Sequence, residues 1–532
     1  MPDDRAPTPT HIESPTGDRD TVLGRDGWAR LVAALTAAAF AVLTIPGSED
    51  FPLDDAWIHL SYAKSVRLGD GLSYNPGDWE TGFSSPAWAL MLAAWPTGDA
   101  PVLPVKLLGV LLHALSAWLA AHIVLDLAKQ RASVERPIPA LSMALLAGAL
   151  VASAPALVQG STSGMEVPLT AAVLLGSTAA MLSGVPLAAG LTGGLAVWCR
   201  PESLAFVLVV GGTLAAGRYR LRGEHPKRFR AAWVGPLGAL VALGLWVAWC
   251  WSVSGYPWPN TQYIKGAGGG LAGLSYLRDE ILPSQPWIVS LTGVVLVAIG
   301  VVHDVRQRRP ELLALLAAVL LTWVAIAVSR PLHPGTGFYE TRYFAPFCVG
   351  VTVLLPFGVA ALLPRPRGRW LAWGAVLPVA ITTAFEVAHV RTRLLEQSAD
   401  THAVHTLVAL GAAKLPPDAV IAVEGAGAIR YFVPRTMTVL DIVGLNDRRA
   451  AHLHFDRTAK MCHFVQSAPT HFAIPADWLP QFLPVFAMRP VDRFDDPHYT
   501  QVDPPRPHTV VLAAVEAVNP QWTARCAARS GS

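Results

Sequence analysis

Charge is what this chain has least of. Of its 532 residues, 15% are Asp, Glu, Lys or Arg, against roughly 25% in ordinary soluble domains. The formal net charge is only +3, so nothing in the charge balance argues for a nucleic-acid partner. Five cysteines are too few for a disulfide framework. Cys199, Cys250 and Cys348 fall in or beside apolar runs and read as small buried hydrophobes. Cys462 and Cys526 lie in a polar tail and could pair if that tail is extracytoplasmic. Residues 1–27 have no basic stretch leading straight into a short apolar core. They read as a disordered cytoplasmic leader, followed by an uncleaved span rather than a cleaved signal.

Apolar residues are what the chain has in excess, at 52%. Apolar runs recur from Trp28 to about Val390, several of them near the ~20 residues a helix needs to cross the hydrocarbon layer. Reading those runs against breakers predicts spans at Trp28–Ile45, Pro104–Leu127, Pro139–Leu157, Pro168–Ser183, Pro186–Cys199 and Leu204–Ala216. Further spans are predicted at Ala231–Val253, Pro286–Val302, Leu312–Ser329, Phe344–Leu363 and Trp370–Ala388. The run Pro86–Trp95 is too short to span and suits an interfacial or re-entrant helix. With about eleven spans and the N-terminus inside, four basic linkers fall in the cytoplasm, as the positive-inside rule requires. They carry Lys129, Arg131 and Arg136; then Arg218, Arg220, Arg222, Lys227, Arg228 and Arg230; then Arg306, Arg308 and Arg309; then Arg365, Arg367 and Arg369. Counting Pro86–Trp95 as a span would put every later one of these outside.

The expected fold is therefore mainly α. It is a polytopic membrane protein, N-terminus in and C-terminus out, with a membrane domain at 28–390, a large first external loop at 47–103 and an extracytoplasmic α/β domain at 391–532. Strands are predicted in that last part at Ala419–Val423, Thr438–Val443, His471–Ile474 and Thr509–Val515, and a helix near His402–Leu410.

The informative polar residues gather outside. Asp54 and Asp55 stand side by side at the end of the first span, ahead of an amphipathic stretch. Partial burial there would raise carboxylate basicity and suit a general base. Glu166 sits where one span ends and the next begins, a place that a helix-capping acid would also occupy. Arg200-Pro201-Glu202 marks another outer boundary and reads either as functional or as an ion pair fixing a turn. Asn260 to Lys265 and Phe338 to Tyr343 bring Lys265 and Arg342 to the outer face against the inside bias, making them candidates to hold an anion. Arg suits phosphate through its planar donor fork; snorkelling to headgroups is the alternative. Acids and cations converging from five loops on one face suit a reaction between a lipid-borne phosphate ester and a polar acceptor. His452, His454 and Asp456 resemble a metal cluster only superficially, since further ligands are wanting.

Several short motifs recur in a fixed order: Asp54-Asp55-Ala56 with Tyr62-Ala63, Gly69-x-Gly71-Leu72-x-x-Asn75-Pro76-Gly77, Glu80-x-Gly82-Phe83-x-x-Pro86-x-Trp88, Ser163-Gly164-Met165-Glu166-x-Pro168-Leu169, Arg200-Pro201-Glu202, Pro259-Asn260-Thr261-x-Tyr263-x-Lys265 and Arg342-Tyr343. This order resembles bacterial GT-C superfamily glycosyltransferases, most nearly the polytopic group that includes mycobacterial terminal arabinofuranosyltransferases. It is more distantly similar to protein O-mannosyltransferases and lipid A aminoarabinose transferases. The likeness continues into the tail at Leu440 to Asp447. It implies a transferase of the bacterial cell membrane that takes its sugar from a polyprenyl-phosphate donor and delivers it outside to a glycan, lipid or protein acceptor. In that superfamily the first acid after span one is the base, which maps to Asp54, with Asp55 and Glu166 positioning acceptor or metal. Arg200, Lys265 and Arg342 would hold the donor phosphate, and Tyr62, Asn75, Glu80, Glu202, Asn260 and Tyr343 complete the expected substrate-binding set. A divalent cation is left open as a cofactor, and membrane lipids are the expected surroundings. Ser61 stands where the group usually has Arg, and Gln262 where an aromatic is common, which bears on donor identity. The rival reading is a transporter or lipid flippase, whose charges belong near mid-membrane; a non-enzymatic scaffold is a third.

Overall fold

In lipid a backbone amide finds no partner except its own helix, and the apolar runs of this chain are helical. The computed structural model describes residues 24–530 apart from 46, 133–139, 220–222, 266–269, 271, 282–290, 331, 333–337, 363–384, 386, 454 and 503. Four helices among the described residues are long and apolar enough to cross a bilayer: Val102–Arg131, Pro226–Ser254, Glu311–Ser329 and Ala345–Leu362. Ala140–Ser153 and Pro155–Ser161 make a further span if taken as one helix bent by 60°; Pro155 lacks the N–H that would continue the ladder. Val167–Ser183, Pro186–Cys199 and Ser203–Arg218 are apolar but shorter. The expected spans thus have helices over most of their described length, with Arg25–Val42 at the start and Leu291–Arg306 overlapping the predicted Pro286–Val302 and running four residues past it. The span expected at Trp370–Ala388 falls almost wholly outside the described residues, as do Arg136, Arg220, Arg222, Arg365, Arg367 and Arg369.

Helices are numbered here in chain order: α1 Arg25–Val42, α2 Asp55–Arg67, α3 Pro86–Ala94, α4 Val102–Ala132, α5 Ala140–Ser153, α6 Pro155–Ser161, α7 Val167–Ser183, α8 Pro186–Cys199, α9 Ser203–Arg218, α10 Pro226–Ser254 and α11 Asn260–Lys265. α1 packs on α4 and α5, and α8 on α10. The α8–α10 contact needs glycine, because a methyl group on Gly238 would stand 2.1 Å from the Gly190 carbonyl oxygen. Small residues at such a seam let two backbones approach where lipid offers no hydrophobic drive. α3 has nine residues, consistent with the reading that Pro86–Trp95 does not span. Between α2 and α3 the external loop forms a small hairpin of β1 (Ser73–Asn75) and β2 (Asp78–Trp79).

The tail holds a five-stranded sheet in the order β4-β3-β5-β7-β6. Its strands are β3 Val420–Val423, β4 Thr438–Asp441, β5 His471–Pro475, β6 Phe486–Tyr499 and β7 Arg506–Val518. β3 is parallel to both β4 and β5, while β7 runs antiparallel to β5 and β6. Sequence reading located four of these strands and missed β6. A separate core gathers Phe464, Phe472, Phe482 and Phe486 beneath the sheet. Val404, Ile421 and Ile429 instead belong to the same buried cluster as the membrane helices, so the tail is packed against the helical bundle. A disulfide joins Cys462 to Cys526, tying the helix Arg457–Ser467 to the last helix, Pro520–Ser530. Cys199, Cys250 and Cys348 are free and buried, as their apolar settings implied.

Candidate active site

Asp54 and Asp55, at the first turn of α2, lie where two polar cavities of the described residues meet. Asp54 is the residue before that helix and Asp55 its first, yet neither carboxylate caps it. Asp54 reaches across to the tail, its Oδ2 accepting from the Gly427 amide at 2.7 Å and its Oδ1 from the Ala428 amide at 2.8 Å. Glycine is required there, since a Cβ on Gly427 would lie 2.2 Å from the Asp54 carbonyl oxygen. Burial raises the Asp54 carboxyl above its usual range; His405 and the two amides pull the other way, and Asp55 adds to the rise. Asp55 is different. Burial works to raise it, but Lys265 and Arg342 outweigh that and hold it well below the ordinary value. Its Oδ2 receives Arg342 Nη2 at 2.5 Å, with Lys265 Nζ at 3.7 Å. Two neighbouring acids are thus driven in opposite directions, Asp54 up and Asp55 down.

Asp55 lines a cavity of ≈ 110 Å³ together with His59, Glu166, Glu202, Lys265, Arg330, Arg342 and Tyr343. Arg200, at the end of α8, stands just behind and donates through Nη1 to Glu166 Oε1. Glu166 therefore does not cap α7; it faces Arg200 on one side and His59 on the other, 3.7 Å away. Glu202 pairs with Arg330. Tyr343 lies under three guanidinium groups, with Arg330 4.1 Å, Arg200 4.5 Å and Arg342 5.2 Å from its ring centre. Burial works to raise its phenol, yet Lys265, Arg342 and Arg330 bring it down to about 8. Arg200 and Arg342 are 1% and 2% exposed. Even so, Arg200 Nε and Nη2 and Arg342 Nε and Nη1 have no hydrogen-bond partner among the described residues. Buried guanidinium N–H groups left unmatched are costly, and the acceptor that suits them is an oxyanion with several oxygens.

Of the residues singled out from sequence, Asp55, Glu166, Arg200, Glu202, Lys265, Arg342 and Tyr343 come together here. The others form a joint between the first loop and the tail. Tyr62 donates to Asn446 Oδ1 at 3.0 Å. Asn75 exchanges hydrogen bonds with the backbone of Val439. Glu80 accepts from Asn260 Nδ2 at 2.9 Å and Arg448 Nε at 3.0 Å, and burial pushes it up to about 7. Asn260 in turn accepts from the Thr81 hydroxyl. Two participants went unmarked in the sequence. His59 lies one helical turn beyond Asp55, a spacing that puts both on one face of α2. Arg330 follows the apolar helix Glu311–Ser329 at the end where the positive-inside reading expects no basic residue, as it expects none at Lys265 and Arg342.

A second cavity of ≈ 290 Å³ adjoins the first, sharing Asp55, Ile58, Lys265 and Leu445 with it. Asp54 lines only this one. As for a metal, no three His, Cys, Asp or Glu side chains among the described residues are grouped to hold one. Each Asp54 oxygen accepts from one amide and Asp55 is held by two cations, and no metal-dependent step is derived. His452 stacks on Tyr256 with ring centres 3.4 Å apart, Asp456 caps the helix Arg457–Ser467, and His454 lies outside the described residues.

Residues 391–517 match the family described as "Domain of unknown function (DUF8728)". No curated protein matches the chain. Solved structures do. ArnT from Cupriavidus metallidurans bound to undecaprenyl phosphate superposes with a TM-score of 0.58 at 15% identity, over 92% of this chain and 98% of that one. The apo state of the same protein gives 0.56 at 16% identity, over 91% and 98%. The apo oligosaccharyltransferase of Archaeoglobus fulgidus gives 0.50 at 12%, over 85% of this chain and 69% of that one. At such identities the likeness is one of fold. The chain has the GT-C fold that its motif order implied.

Proposed function

We propose that the protein is a membrane glycosyltransferase that moves a sugar from a polyprenyl-phosphate donor to a hydroxyl acceptor outside the cytoplasm of a bacterial cell. The observation that carries this reading is the buried Arg342, with unmatched donors in the cavity that Asp55 lines, and the equally unmatched Arg200 just behind it. A phosphate ester supplies the missing acceptors, and its lipid chain has the membrane at hand. The ArnT structure bound to undecaprenyl phosphate agrees with such a ligand. The Cys462–Cys526 disulfide agrees with a tail in an oxidising compartment, as the distribution of basic loops does.

The chemistry follows from the two unlike carboxylates. Asp54 takes the proton from the acceptor hydroxyl as that oxygen bonds to the anomeric carbon. The bond from that carbon to the phosphate oxygen breaks, and the phosphate departs with the electron pair and with inversion. Asp54 keeps a lone pair on each oxygen beyond those its two amides use. Lys265, Arg330 and Arg342 stabilise the charge growing on the phosphate, the electrostatic contribution that is usually the largest in such sites. Asp55 holds Arg342 and Lys265 in place. The test is transfer of radiolabelled pentose or hexose from a panel of polyprenyl-phosphate donors to a cell-envelope acceptor extract by the purified chain. Labelled acceptor supports the assignment, and absence of transfer from every donor refutes it.

A further inference from the structure

The tail has no assigned role, and its sheet suggests one. β3 has parallel neighbours on both sides, β4 on one and β5 on the other. The chain therefore leaves the carboxyl end of β3 toward one side and returns on the other. In open α/β sheets that switch point opens a crevice in which ligands bind. Here the loop after β3, Glu424 to Gly427, faces Asp54, and the loop after β4 contributes Val443 and Leu445 to the same cavity of ≈ 290 Å³.

The lining says what would fit. Asp54, Asp55 and Glu424 are acidic, and the one Lys, Lys265, is already paired with Asp55. His405 and His508 complete the polar lining, and with both neutral the three carboxylates outnumber the one ammonium, so an anionic group would meet net repulsion. Hydroxyl donors would find carboxylate acceptors, and the far wall is already ordered: Tyr499 donates to Gln501 Oε1 at 3.2 Å and stacks on His508, while Gln501 donates to Thr401. Among the described residues the Glu424 carboxylate has no hydrogen-bonded partner, and His405 lies against the loop so closely that a Cβ on Gly425 would sit 2.3 Å from its Nδ1.

We propose that this cavity is the acceptor subsite, and that the tail holds a neutral polyhydroxyl acceptor, the sugar end of a glycan, against Asp54 through Glu424 and the Tyr499 wall. This rests on the transferase reading. The junction shared with the phosphate cavity, at Asp55, Ile58, Lys265 and Leu445, is then where the transferred sugar crosses.

The test uses the purified full chain and saturation-transfer NMR with neutral trisaccharides of arabinose, mannose and galactose, and with their uronate and phosphorylated counterparts. Native protein should bind a neutral saccharide in preference to its charged counterparts. Glu424→Gln and Tyr499→Phe, on opposite walls, should each weaken that binding about tenfold, the loss expected for one hydrogen bond to a charged or well-ordered group. Affinity for undecaprenyl phosphate should be unchanged in both, which also reports that they fold. No saccharide binding, a preference for the anionic forms, or unaltered binding by both variants would overturn the proposal. Saccharide binding that depends on Glu424, in a protein that transfers nothing, would leave the subsite standing and sink the transferase reading. Transfer by Glu424→Gln with an unaltered acceptor KM would do the reverse.

Discussion

Asp54→Asn is the substitution on which most of the reasoning converges. It removes the proton acceptor, and general-base assistance contributes typically ~10²- to 10⁴-fold, so kcat should fall by about that factor. The structure adds a complication. The two Asp54 oxygens accept separately from Gly427 and Ala428, whereas an asparagine offers one oxygen and turns an NH₂ group toward the other amide. Leaving that buried N–H unmatched costs about 1–3 kcal/mol, which would appear as a lowered thermal midpoint and a looser tail. The assay should therefore be single-turnover release of undecaprenyl phosphate from labelled donor, with undecaprenyl-phosphate affinity and melting measured on the same preparation. Loss of turnover with donor-site affinity retained is the expected result. In the native enzyme kcat should rise with pH through a value above the ordinary carboxylate range, because burial raises Asp54 and only the ionised form accepts a proton; the variant should lack that limb. An Asp54→Asn enzyme that keeps more than a tenth of native turnover would refute the assignment.

Arg342→Gln should weaken undecaprenyl-phosphate binding by roughly 10- to 100-fold, in line with ~1.5–3 kcal/mol for a hydrogen bond to a charged group; isothermal titration in nanodiscs would measure it. Glu80 tests the joint instead. Its folded carboxyl sits at about 7 against 4.5 for the free residue, so the folded chain binds this proton more tightly, and the group's contribution makes stability fall as pH rises through that window before levelling off. Glu80→Gln should flatten that slope in thermal melts from pH 4 to 8. Reducing Cys462–Cys526, which closes a loop of 64 residues, should destabilise the tail by about 2–4 kcal/mol, seen as faster proteolysis within residues 391–530 while α4 and α10 stay protected.

Much of this was legible because lipid imposes simple rules. Long apolar runs had to be helices, and basic residues expected at outer ends, Lys265 and Arg342, stood out against the inside bias. Arg330 obeyed the same rule but stood alone beside no motif. Side-chain pairings were beyond reach. Nothing in the sequence distinguishes an Asn or Glu that meets substrate from one that locks two loops, so the joint that Asn75, Glu80 and Asn260 make could not be read from it. β6 went unseen for a physical reason as well. It is an edge strand carrying Arg489, Pro490, Asp492, Arg493, Asp495 and Asp496, the charged and Pro-broken composition that protects an open edge from further pairing and that also erases strand periodicity.

The grip of Gly427 and Ala428 on Asp54 has a temporal side. A ribosome makes residue 54 long before residue 427, and chains fold progressively from the N-terminus. Until the sheet of the tail has closed, Asp54 lacks both of its amide partners and the cavity beside it lacks a wall. In the transferase proposed above, a half-made chain would hold Lys265, Arg330 and Arg342 of the phosphate cavity before the wall of the cavity that Asp54 lines is built.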